Sequence, residues 1–101
     1  MAIGYCDAIG RTLTKERVIE LCNLIFSDEE KQFVLLRCCE RKSMNQIADT
    51  IPINRQKDLI QIVNTKLLLW LDRNREDFFS PKEKTELDKT FKKHKLESPD
   101  V

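Results

Sequence analysis

Apolar residues recur along this chain at helical spacing, and polar residues able to cap helices stand between the runs. Val18, Leu21, Cys22 and Ile25 follow Thr14 at i, i+3, i+4 and i+7, which predicts a helix with that threonine as its N-cap. Ser27-Asp28-Glu29-Glu30 has the form of a capping box, in which the serine accepts from the backbone at N3 and the glutamate reaches back. It opens a second predicted helix bearing Phe33, Val34, Leu35, Leu36, Cys38 and Cys39. Ser43-Met44-Asn45-Gln46 repeats the box with glutamine in the last place. The short helix it starts places Met44, Ile47, Ala48 and Ile51 on one face, and Pro52 stops it by disfavouring helical geometry in the preceding residue.

Asn54 is then expected to cap the longest helix, about residues 55–73. Leu59, Ile60, Ile62, Val63, Leu67, Leu68, Leu69, Trp70 and Leu71 make it apolar over a broad face, the mark of a central, surrounded helix. Ser80-Pro81-Lys82-Glu83 combines an N-cap, a proline at N1 and a capping-box glutamate. The last helix, about 81–95, has Leu87 and Phe91 as its clear anchors, with Leu96 beyond. Residues 1–13 lack periodicity and read as a loosely ordered lead-in, and residues 97–101 as a frayed tail. The predicted architecture is all-α: a single compact five-helix, bundle-like domain over residues 14–96, built around the 55–73 helix.

Composition sharpens this picture mainly by exclusion. A chain of 101 residues has room for one core, and two glycines with three prolines disfavour a β-architecture of many tight turns. Eighteen Lys+Arg against 17 Asp+Glu leave a net charge of +1, far from the strongly basic footprint of a dedicated nucleic-acid or membrane-surface protein. No run approaches the length of a transmembrane helix, so no membrane association is expected. The opening residues lack the basic-then-apolar order of a signal peptide, which points to an intracellular, cytoplasmic setting with the nucleus left open.

Cys6, Cys22, Cys38 and Cys39 show no Cys-x-x-Cys spacing, and His94 is the one histidine, so neither a metal site nor a cofactor is predicted. Cys22, Cys38 and Cys39 fall within helical patterns, where reduced thiols pack as small hydrophobes. Arg37 and Arg41 flank Cys38 and Cys39, and such neighbours could activate a thiol by lowering its pKa; packing is the preferred reading. His94 lies in the run Lys92-Lys93-His94-Lys95 and reads as a solvated imidazole. With no phosphate cradle and no paired nucleophile and base, no catalytic residue is assigned, and the chain is read as non-enzymatic.

DNA binding is the alternative reading. Residues 42–54 resemble the first helix and turn of a helix-turn-helix, with Ile47-Ala48 at the packing position and Ile51 and Ile53 beside the turn. The next helix would read DNA from its start with Arg55, Gln56 and Lys57, and Arg41, Lys42 and Asn54 complete the assigned DNA contacts. Against it, Pro52 stands where such turns usually have glycine, and Asp58 stands where an apolar residue would anchor the reading helix.

A protein-interaction module is the main expectation. Residues 67–81, with Trp70-Leu71-Asp72, Glu76-Asp77-Phe78 and Pro81, resemble the end of the N-terminal exchanger-motif domain of Ras-family guanine nucleotide exchange factors, the Ral-directed ones in particular. Ile9-Gly10-Arg11-Thr12-Leu13 and Phe33-Val34-Leu35-Leu36 are looser echoes in the same order. The resemblance implies a helical, non-catalytic domain that braces a partner domain; departures from it are that no exchange domain is expected here and that Cys38-Cys39 replaces an aromatic-basic pair. Phe78 and Phe79 are adjacent just before a capping box, so one is expected to staple the last helix and the other to face a partner. Together with the basic residues Lys89, Lys92 and Lys93, they form the predicted surface for another protein, in an adaptor or regulatory role.

Overall fold

The computed structural model describes residues 4–93. It is all-α: six α-helices, α1 (Tyr5–Thr12), α2 (Lys15–Ile25), α3 (Asp28–Val34), α4 (Met44–Ile47), α5 (Ile53–Phe78) and α6 (Pro81–Lys93), with a π-helical segment Leu35–Cys39 continuing α3. Four of the five predicted starts, at Thr14, Ser27, Ser43 and Ser80, are in place. Thr14 accepts from the Arg17 backbone N–H, and the boxes at Ser27 and Ser43 make both reciprocal bonds. Ser80 and Glu83 do the same for α6.

The long helix differs from expectation at both ends. It begins at Ile53 with Pro52 in the N-cap position, so Asn54 is not its cap, and it runs to Phe78 instead of stopping at Arg73. Its 26 residues, at about 1.5 Å each, match the longest dimension of the molecule, 38 Å. The buried stripe is narrower than the apolar run suggested. Leu59, Val63, Leu67 and Leu71 are buried at i+4 steps, Trp70 is half-buried, and Leu69 is 63% exposed. Gln56 is fully buried, and its Nε2 donates to the carbonyls of Met44 (2.9 Å) and Ile51 (2.8 Å), which fastens the α4 segment to α5.

The supposed lead-in is corrected most. Tyr5–Thr12 is helix α1, and Cys6, Ala8 and Ile9 are part of the core. The Asn64 side chain caps it from α5, accepting from the Cys6 N–H at 3.1 Å while donating to Ile60 O. Tyr5 meets Phe91 edge to face, and the Thr12 and Thr90 hydroxyls lie 2.9 Å apart, so α1 docks on α6. His94, Leu96 and the predicted tail at 97–101 lie outside the described residues.

Gly10 carries α1 over the π-helical segment. A Cβ added there would lie 2.6 Å from Cys38 Cβ and 3.0 Å from the Cys38 carbonyl oxygen. Alanine in a helix interior ordinarily stabilises by about 1 kcal/mol over glycine. Here the obstacle is backbone and a Cβ, neither able to swing aside, so the overpacking term of about 1–3 kcal/mol should prevail. Gly10→Ala is therefore expected to lower the urea midpoint, and a raised midpoint would contradict the close approach.

Candidate functional site

α1, the π-helical segment and α5 enclose a cleft. Asp7 and Arg11 stand one turn apart on α1, Arg37 and Cys38 belong to the π-helical segment, and Arg41 follows it. The segment closes with the Glu40 N–H on Leu35 O (2.9 Å) and the Lys42 N–H on Leu36 O (3.0 Å). Arg41 takes a left-handed φ of 56°, which turns the chain out of the helix. These five residues line a cavity of about 190 Å³. A second cavity of about 420 Å³ shares Asp7, Arg37 and Cys38 with it and runs on between Phe33, Val34, Met44, Ile60 and Val63.

The two ends of the cleft differ chemically. The larger is walled mainly by hydrocarbon, with Asn64 and Gly4 at its α1 side. The smaller brings three guanidiniums near one carboxylate. Cys38 Sγ donates to Asp7 Oδ1 at 3.4 Å, and Arg37 Nη1 donates to Lys42 O at 3.2 Å. Among the described residues, none of Arg11, Arg37 and Arg41 makes an ion pair.

The thiols at this cleft are quiet. All four cysteines are free, with Cys6, Cys22 and Cys38 buried and Cys39 half-buried. Burial pushes each thiol up, Cys22 to about 12. The arginines flanking Cys38 do not lower it: burial, then neighbouring Cys6 and Asp7, hold it protonated. A thiol raised in this way is a weaker nucleophile at neutral pH. No cluster of three His, Cys, Asp or Glu side chains able to hold a metal occurs among the described residues, and no described helix is long and apolar enough to cross a membrane.

The predicted partner surface divides. Phe79 is buried at 3% exposure, against Trp70 and Phe78, so its assignment to a partner surface is corrected. It closes the α5–α6 corner from inside. Phe78 is half-buried, with the Arg17 guanidinium 4.2 Å above its ring. Arg17 also forks onto Glu83 (2.9 and 3.1 Å) and donates to Phe78 O at 2.7 Å. The arginine's hydrogen bond keeps the Glu83 carboxyl below its ordinary range despite partial burial. Lys89, Lys92 and Lys93 are exposed as expected, with Lys89 Nζ 3.8 Å from Glu86.

Of the residues assigned to DNA, Asn54, Arg55 and Lys57 are exposed at the start of α5, whereas Gln56 is buried and bonded to Met44 O and Ile51 O, so its place among the base contacts is corrected. Arg55 is engaged, its guanidinium 2.6 Å from Glu29 across to α3. Lys42 lies 3.9 Å from Glu40, and Arg41 belongs to the arginine cleft. The helix that would precede the turn is the four-residue α4.

Sequence reading missed Asp7 and Arg11 because it missed α1, and it missed Arg17 as the cover of Phe78. The available signal for α1 was Tyr5, Cys6, Ile9 and Leu13 on one helical face, masked by Gly4 and Gly10. No protein-family model, no curated protein and no solved structure matches this chain.

Proposed function

We propose that this chain is a non-enzymatic helical module that acts by binding an acidic segment of another protein, in an adaptor or regulatory role. The observation that carries this reading is the sorting of charge on α6. Glu83 is turned inward onto Arg17, and Asp88 pairs with Arg75. Lys84 reaches Glu76 on α5. What faces solvent along α6 is Lys82, Lys89, Lys92 and Lys93 against Glu86 and the half-exposed Asp88. A nearly neutral chain thus presents a basic stripe, and such a stripe favours and orients acidic partners. Phe78 adds apolar surface at its base, where Arg17 already stacks. The raised thiols fit a binding role rather than chemistry. The resemblance of residues 67–81 to a bracing, non-catalytic domain supports the same reading.

The test compares poly-L-glutamate with a random-sequence DNA duplex, each titrated into labelled protein at about 50 and about 200 mM salt. Poly-glutamate is expected to bind with amide shifts concentrated in α6. Reversing Lys82, Lys89, Lys92 and Lys93 to glutamate should weaken it by roughly tenfold or more. Tighter binding of the duplex, insensitive to that reversal but lost on Arg55→Ala and Lys57→Ala, would replace this reading with the DNA one.

A further inference from the structure

We propose that the cleft between α1, the π-helical segment and α5 binds a small anionic amphiphile, a medium-chain monocarboxylate, with its carboxylate at Arg11, Arg37 and Arg41 and its tail in the larger cavity. Two unlike cavities share Asp7, Arg37 and Cys38 as a common wall. The arginine end holds three guanidiniums against Asp7, and one Asp7 oxygen already accepts from Cys38. Positive charge is in excess there, which suits an anion and opposes a metal cation. Guanidiniums match the planar fork of a carboxylate in particular.

The second end selects the rest of the ligand. Its volume of about 420 Å³ falls in the range of small-molecule sites, and hydrocarbon forms most of its wall. Asp7, Arg37 and Cys38 border both cavities, so a carboxylate held by the guanidiniums of the first lies beside the second, with Asp7 kept from opposing it by the three positive charges around it. A bare inorganic anion would leave that apolar wall facing water. An uncharged hydrocarbon would leave the guanidiniums unanswered. An amphiphile satisfies both ends.

The backbone fits the same picture. π-helical segments are uncommon and often occur at functional sites, because they displace side chains from the regular helical register. Here the segment contributes Arg37 and Cys38, and its left-handed exit sets Arg41 beside them. This site lies on elements other than the α6 stripe, so either reading can fail without the other.

The experiment is a titration of the full chain with hexanoate, octanoate and decanoate, followed by amide shifts, with octanol and acetate as probes lacking the charge or the tail. Octanoate is expected to move Gly4, Phe33, Cys38 and Val63. Affinity should rise by roughly fourfold per added methylene until the cavity is full. Octanol should bind roughly tenfold more weakly, and acetate should not saturate. The double variant Arg11→Gln/Arg41→Asn removes two charges that make no ion pair, and asparagine tolerates the left-handed φ at residue 41. It should bring octanoate down to the octanol level while leaving octanol unchanged. Ile60→Trp, which fills the apolar end, should abolish both. Equal binding of octanol and octanoate by the unaltered protein, shifts confined to α6, or no saturation by about 10 mM would each overturn the proposal.

Discussion

Stability is expected to fall steeply with rising pH from about 8.5 upward, driven by three thiols. Cys6, Cys22 and Cys38 are at most 6% exposed. An unfolded cysteine ionises near pH 8.5, whereas burial raises all three in the fold, Cys22 to about 12. Below the unfolded value, neither state is ionised and the buried thiols contribute their full packing. Above it, the unfolded chain releases protons that the folded chain retains, so unfolding gains ground. Each such thiol subtracts about 1.4 kcal/mol per pH unit until its folded pKa is reached. Three together approach about 4 kcal/mol per unit, against a total stability of about 5–15 kcal/mol for a domain of this kind. Urea midpoints measured under reducing conditions from pH 7 to 11 should drop accordingly. Cys22→Ala, though less stable at neutral pH, should lose about a third of the slope. A midpoint that holds steady to pH 10 would show that the thiols reach water in the native state.

The same burial bears on function. A thiol held protonated well above neutrality is a poor nucleophile and a poor metal ligand. In the cleft, Cys6 and Cys38 therefore act as wall, with Cys38 donating to Asp7. The arginines beside Cys38 remain available to an anion from outside because they do not neutralise a thiolate.

Local chemistry was legible wherever a short rule governs it. Thr14 caps α2 through the Arg17 N–H, and Ser27, Ser43 and Ser80 complete capping boxes, each contained within four residues. The boundaries of α5 were less legible. Pro52 has no N–H to satisfy, and its carbonyl accepts from Gln56 N, so the helix can begin directly after it. At the other end, Arg75 is buried and pairs with Asp88 on α6, so the charged stretch that looked like the helix end carries a core-facing residue. α1 was hidden for a tertiary reason: Gly10 weakens the helix locally, yet it is the residue that lets α1 close on Cys38. The cleft follows from that contact. Arg11, Arg37 and Arg41 are separated in the chain, and only the docking of α1 on the π-helical segment brings them together.

Arg17→Ala should be the most damaging substitution of a surface residue in this protein, costing about 2–3 kcal/mol, or a fall in melting temperature on the order of 15 °C. Ordinary exposed ion pairs contribute much less, about 0–1 kcal/mol. Arg17 differs in being about three-quarters covered, with three kinds of contact at once. It forks onto Glu83, itself only 21% exposed and already tied to the Ser80 N–H. It satisfies the Phe78 carbonyl at the end of α5, a position helices leave without an internal partner. Its guanidinium also lies over the Phe78 ring, which the substitution would uncover. Arg17→Lys keeps the charge but loses the fork, so it should recover less than half of the loss. A double-mutant cycle with Glu83→Gln should show coupling of about 1 kcal/mol or more, because the two side chains share one network. A cost under about 0.5 kcal/mol would place Arg17 among ordinary surface charges. By joining α2 to the α5–α6 corner, this arginine turns Glu83 inward and so leaves lysines on the outer face of α6. The same substitution should therefore also weaken the selective binding of poly-glutamate.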